Sequence, residues 1–339
     1  MIDFAGKRWW YLSISLLLFV AAAVCLAIFN LKPGIEFTSG SSFTFEFAER
    51  TVHQGELRSA MSDLGHSDSR IQGSGSNTYL IRTRELKSTQ PVTPLDGAGP
   101  QLQPEGEIDT VQAALCQKFG KTGDDGKCTG VNRKDFSTVS DTVSTEIAQK
   151  ATYAVIGAAV FIMLYIAFAF RGLGLRRGFR FGAAAIIAVL HDAFIVLGVF
   201  AALGHFNNTE VDTAFITAIL TVIGFSVHDT IVVFDRIRET LTHDPYIPFE
   251  EAVNASMTET LARSINTSFV VVLTVVAMLL IGGVTIRNFL LVLLIGIVSG
   301  TYSSIGIASQ LLVAWENSDI PKFWRKITGH KEAAVAEAS

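Results

Sequence analysis

Six long apolar runs punctuate this chain of 339 residues, and no other feature narrows its possible folds as much. They are Trp10–Phe29, Ala148–Phe170, Phe181–Leu203, Thr213–Phe234, Ser264–Val284 and Asn288–Trp315. Each approaches the roughly 20 residues a helix needs to cross the hydrocarbon of a bilayer. In hydrocarbon only helices and closed barrels satisfy their own backbone polar groups, so the runs predict an α-helical polytopic membrane protein with six transmembrane helices. The runs also explain why only 17% of residues are charged, against about 25% in soluble domains. The first run follows Lys7 and Arg8 but exceeds the ~7–15-residue apolar core of a signal peptide, and is read as a retained helix. A net charge of −4 leaves no basic footprint for nucleic acid.

Basic residues in short loops set the orientation. Arg171, Arg176, Arg177 and Arg180 separate spans two and three. Lys7 and Arg8 precede span one, and Lys322, Arg325, Lys326 and Lys331 follow span six. All share one side if both termini are cytoplasmic. The stretch 32–147 then lies outside the cytoplasm. Within it Ser42–Phe47 and Thr78–Arg84 alternate as half-buried strands do, while Gln54–Leu64 and Ile108–Phe119 carry helical periodicity. This order predicts a small α+β, ferredoxin-like domain. Thr89–Gly106, rich in Pro and Gly, reads as a long loop. Phe249, Val253, Met257 and Leu261 recur every fourth residue near 249–262. They predict a cytoplasmic amphipathic helix, lying on the membrane or packed on a partner. Residues 316–339 form a cytoplasmic tail by the same count.

Ionisable residues inside apolar spans are costly, at ~2.5–3.5 kcal/mol on insertion scales, and mark function or pairing. Asp192 is near the middle of span three, and Asp229, beside His228, lies toward the cytoplasmic end of span four. Arg263 opens span five ahead of Asn266, Thr267 and Ser268. Consecutive antiparallel spans could bring Arg263 to the depth of Asp229 as its counter-charge. An anchor at the positively charged membrane face is the competing role for Arg263. Two His-Asp dipeptides suggest a metal only superficially, since neighbours on a helix point about 100° apart. No metal or other cofactor is expected. Gly296, Gly300, Ser304 and Ala308 form a small-residue ridge suited to close helix packing, within this chain or against a partner. Cys116 and Cys128 flank a short external loop where a disulfide is permitted, whereas Cys25 falls inside span one. No nucleophile–base arrangement indicates an enzyme.

Several stretches together resemble the SecF family of protein-export membrane proteins. They are Gly34–Gly40, Leu190–Asp192, Thr221–Arg236, Arg263–Ser268 and Gly300–Ile305. Relative to the family pattern, Glu36 stands for Asp, Ser39 for Gly, His228 for Asn and Asp141 for Pro. The resemblance implies one six-span half of a resistance-nodulation-division arrangement, with protons as the coupling ion. It further implies a six-span SecD-like partner, the SecYEG channel and translocating unfolded preproteins in the bacterial cytoplasmic membrane. Asp229 and Arg263 carry over as proton-coupling residues, and Asp192 with them. Helix motion would reach the external domain through spans one and two. A lipid or drug exporter half, or a non-transporting membrane scaffold that recruits partners, are the rival readings.

Overall fold

The computed structural model describes residues 3–75, 77–86, 106–122, 128–283 and 286–317. Most of the expected loop Thr89–Gly106 and the tail 318–339 lie outside the described residues. Two compact units emerge, one comprising Lys32–Tyr153 with Glu210–Thr213 and the other the helical remainder.

Among the described residues six helices are long and apolar enough to cross a membrane. They are α1 (Arg8–Phe29), α5 (Asp141–Ala169), α6 (Leu175–Asn207), α7 (Thr213–His243), α8 (Phe249–Ile281) and a last span. That span joins α9 (Arg287–Ser303) to α10 (Ser309–Glu316) through a π-helical turn at Ser304–Ala308. The helices outrun their apolar stretches, because hydropathy marks only the part that hydrocarbon must accommodate. The amphipathic stretch near 249–262 is the first half of α8 and not a separate surface helix. Its apolar face packs within this chain: Val253 and Met257 are buried, and Asn254 accepts from the backbone N–H groups of Phe4 and Ala5 at 2.9 and 2.8 Å. No breaker stands between Phe249 and Ile281, so the helix continues.

Order βαββαβ in the smaller unit comes from β1 (Gly40–Phe47), α3 (Gln54–Asp63), β2 (Arg70–Gly75), β3 (Thr78–Thr83), α4 (Glu107–Phe119) and β6 (Val131–Val139). A single turn, α2 (Ile35–Thr38), precedes them, and β4 (Lys121–Thr122) pairs with β5 (Cys128–Thr129). The main sheet is antiparallel throughout, ordered β2-β3-β1-β6, which is the ferredoxin-like topology. Phe43, Phe45 and Phe47 point from one face of β1 into a core with Leu57 and Met61 of α3 and Leu115 and Phe119 of α4. Sequence reading missed β2 and β6. The first is broken by glycines, and the second lies at a sheet edge with mostly polar, exposed side chains. Ser39 has φ 59°. Gly40 beside it has φ 131°, and a Cβ there would fall 2.5 Å from the Thr83 carbonyl oxygen. Cys116 is disulfide-bonded and Cys25 is a free thiol. The Cys128 side chain lies outside the described residues.

Candidate functional site

Asp192 and Asp229 are each only 1% exposed, on α6 and α7. Mid-helix N–H groups are already bonded within the helix, so donors to a buried carboxylate must come from neighbouring side chains. Around Asp192 they do. Ser226 of α7 and Ser303 of α9 donate to Oδ2 at 2.7 and 2.6 Å, and Ser299 of α9 donates to Oδ1 at 2.6 Å. His191 brings Nδ1 to 3.3 Å from Oδ1, and its Nε2 lies 3.3 Å from the Ser15 carbonyl of α1. One carboxylate thus ties α6 to α7 and α9, and through His191 to α1. Sequence reading left Asp192 without a partner. Ser299 and Ser303 lie four apart and share one face of an apolar helix, and that spacing was the available signal.

Asp229 is held more loosely. Ser268 of α8 donates to Oδ2 at 3.3 Å, and Thr301 of α9 donates to Ser268 at 2.7 Å. His228 Nδ1 stands 3.9 Å from Oδ1, with its ring 62% exposed. The expected Asp229–Arg263 ion pair is not formed among the described residues, and Arg263 is exposed. Continuity of α8 is the reason. Arg263 precedes Ser268 by five residues, about 7.5 Å along the helix and about 140° around it. With Ser268 level with Asp229, Arg263 falls lower and on another side.

The small-residue ridge meets a matching ridge on α7. A Cβ on Gly296 would lie 2.3 Å from the Val222 side chain, and one on Gly300 would lie 3.0 Å from Ser226. The hydroxyls of Ser304 and Thr230 are 2.9 Å apart. Both ridges repeat every fourth residue, so they interdigitate along their length. Of the two roles left open for the ridge, packing within this chain is formed at Gly296 and Gly300, where α7 fills the groove. Directly after it, the π turn is pinned by Ser309 donating to the Ser304 carbonyl and Gln310 donating to that of Ile305, at 2.9 and 3.2 Å. Such turns recur at functional sites.

A different face is open. Thr217, Thr221, Gly224 and His228 form an exposed stripe on α7, and Arg263, Asn266 and Thr267 are exposed on α8. Space beside Gly224 is empty: nothing lies within 4 Å of where its Cβ would stand. Polar groups on a spanning helix are costly against lipid chains and normally face protein or water.

Comparison with known proteins bears on this arrangement. Residues 123–318 match the family described as protein export membrane protein SecD/SecF, C-terminal. The protein translocase subunit SecF of Thermobaculum terrenum is 40% identical over 336 residues, covering 96% of this chain and 98% of that one. The chain belongs to the SecD/SecF family. SecF of Anaerolinea thermophila is 37% identical over 99% of this chain and 100% of its own. SecDF of Thermus thermophilus, a translocon-associated membrane protein, superposes with a TM-score of 0.74 at 31% identity. That alignment covers 93% of this chain and 39% of the SecDF chain. The SecD/SecF match takes in Asp192, Asp229, their hydroxyl donors and the open polar face. The chain is thus a multi-pass bacterial membrane protein of the Sec export machinery.

Proposed function

We propose that this chain works with a six-span SecD-like subunit as a proton-driven accessory of protein export. Both termini are then cytoplasmic, and the α+β domain faces the opposite side, where it promotes movement and release of unfolded preproteins leaving the SecYEG channel. The observation that carries this reading is the open polar face on the two helices that hold Asp229 and its donor Ser268. A second helical half seated there would shield Thr221, Gly224, His228, Asn266 and Thr267 from lipid and enclose Asp229 between the halves. Crystallised SecDF from Thermus thermophilus is a single, longer chain of which this one matches 39%, which leaves room for such a half.

In this mechanism Asp229 carries the proton. An ionised carboxylate only accepts hydrogen bonds, while a protonated one also donates, so a proton changes what Asp229 can hold. Arginine stays charged throughout. Pairing ionised Asp229 with Arg263 requires α8 to turn and slide from its place here, and protonation releases the pair. One charge crossing a potential of 100 mV supplies ~2.3 kcal/mol, enough to bias two conformers. Asp192, Ser226, Ser299 and Ser303 tie α7 to α6 and α9, so that α7 moves with them as one body against α8. Vesicles containing this chain, its six-span partner and the channel test the reading. An imposed proton gradient should stimulate export, and Arg263→Met should remove the stimulation while co-purification persists. Stimulation of equal size in Arg263→Met would remove Arg263 from the cycle. Outside the membrane we assign Cys128 as the disulfide partner of Cys116. Alkylation without reductant should label Cys25 alone, read by mass spectrometry.

A further inference from the structure

The link between α6 and α7 belongs to the α+β domain. Glu210–Thr213 groups with Lys32–Tyr153, although both flanking helices are membrane spans. Val211 forms a parallel bridge with Pro33, its N–H donating to the Lys32 carbonyl at 2.8 Å and its carbonyl accepting from Gly34 at 2.7 Å. A Cβ on Gly34 would crowd the Glu36 carboxylate and lie 3.2 Å from the Val211 carbonyl oxygen. Glu210 is 3% exposed and receives Arg82 at 2.7 Å and Arg70 at 3.5 Å. Those two arginines are directly opposite one another on β3 and β2. Like charges in that register repel, and the Glu210 carboxylate beside both offsets that repulsion. Burial pushes its carboxyl above the ordinary range, Arg82 and Arg70 oppose that push, and Glu36 of α2 adds to it. A polar cleft of about 330 Å³, lined also by Asp68, Arg84 and Glu85, opens beside the pair.

We propose that Glu210–Thr213 is a strap by which α7 moves the α+β domain, with Glu210 as the positioning residue that fastens it to β2 and β3. The proposal rests on the proton-coupled reading above and supplies its transmission. α7 begins at Thr213 and carries Asp229 sixteen residues on, about 24 Å along one unbroken helix. A shift of α7 at Asp229 therefore arrives at the strap without crossing a loop. The route through α1 and α5 lacks this feature, because neither helix carries a membrane carboxylate. A grip made of two backbone hydrogen bonds and one buried carboxylate between two arginines can transmit a pull that a free loop would absorb.

Amide hydrogen exchange in the complex with the six-span partner tests the strap without needing a gradient. Asp229→Asn should change exchange at Gly34, Val211 and the β2–β3 amides, and Glu210→Ala should erase that change. If Asp229→Asn leaves these amides as they were, the strap is overturned. Vesicle export supplies the second arm. Glu210→Ala should lose the gradient-dependent stimulation while the complex still folds and assembles, with a lowered thermal midpoint. A Pro33→Cys/Val211→Cys cross-link should restore stimulation to Glu210→Ala, and reductant should remove it again. Full stimulation in Glu210→Ala, where Asp229→Asn has none, overturns the strap and leaves the proton-coupled function standing. Absence of stimulation in the unaltered chain overturns that function instead, and the exchange result still decides the strap. A Glu210→Ala complex that fails to fold, with no rescue by the cross-link, makes Glu210 structural and also overturns the proposal.

Discussion

Asp192 and Asp229 are equally buried, one helix apart, and are held in opposite ways. Asp192 receives three serine hydroxyls at 2.6–2.7 Å and an adjacent imidazole, so its acceptor capacity is largely used. Asp229 receives one serine at 3.3 Å, and that serine leans on Thr301. Both arrangements use α9, whose Ser299 and Ser303 face Asp192 while Thr301 faces Ser268. A saturated carboxylate fixes helices in place. An unsaturated one can change partners when a proton arrives, at the cost of a less stable resting arrangement. The contrast teaches that two equally buried acids within membrane spans can be held very differently; in the mechanism proposed above, the count and length of their hydrogen bonds distinguish the frame from the coupling residue.

Substituting each acid by its amide probes this contrast most directly. Asp229→Asn should abolish gradient-dependent export stimulation with assembly intact, whereas Asp192→Asn should retain a measurable part of it. Equal loss in both, assayed in the same vesicles, breaks the distinction. Stability should reverse the order. Asp192→Leu removes the hydrogen bonds from Ser226, Ser299 and Ser303 together, and at ~0.6–1.7 kcal/mol for each membrane hydrogen bond it should cost about 2–5 kcal/mol. Asp229→Leu should cost less than half as much, read from thermal midpoints of the purified complex.

Packing provides a third probe, between the filled ridge and the open stripe. Gly296→Leu must displace Val222 and should destabilise the chain itself by about 1–3 kcal/mol. Among the described residues no neighbouring atom lies within 4 Å of a Cβ on Gly224, so Gly224→Leu should leave the thermal midpoint unchanged and weaken co-purification with the six-span partner. The smallest effect concerns Glu210, a third buried carboxylate, this one neutralised by arginines. Its carboxyl is raised by burial, so the folded protein holds this proton to higher pH than the unfolded chain does. The resulting stability is complete below the ordinary carboxylate range and is lost as pH rises through the folded-state value. Glu210→Gln should flatten that slope in a plot of thermal midpoint against pH.

Much of this architecture was legible in the residues. Hydropathy gave all six spans, because a helix in hydrocarbon must be apolar on every lipid-facing side. Alternation gave β1 and β3, whose side chains face a core on one side only, and the motifs at 190–192 and 221–236 contain both carboxylates. What failed depended on rotation and register. The Asp229–Arg263 pairing assumed that similar depth means contact, but α8 turns Arg263 about 140° from Ser268. The glycine ridge was recognised, and only packing could decide whether α7 or another chain would fill it. β6 escaped because an edge strand needs no apolar alternation, and β2 because glycines carry no pattern. Sequence by itself determined which segments cross the membrane and where charge is buried within them, since transfer free energy is a property of the segment. Tertiary structure decided which hydroxyls serve which carboxylate and which domain owns Glu210, since hydrogen bonds depend on distances that no single segment contains.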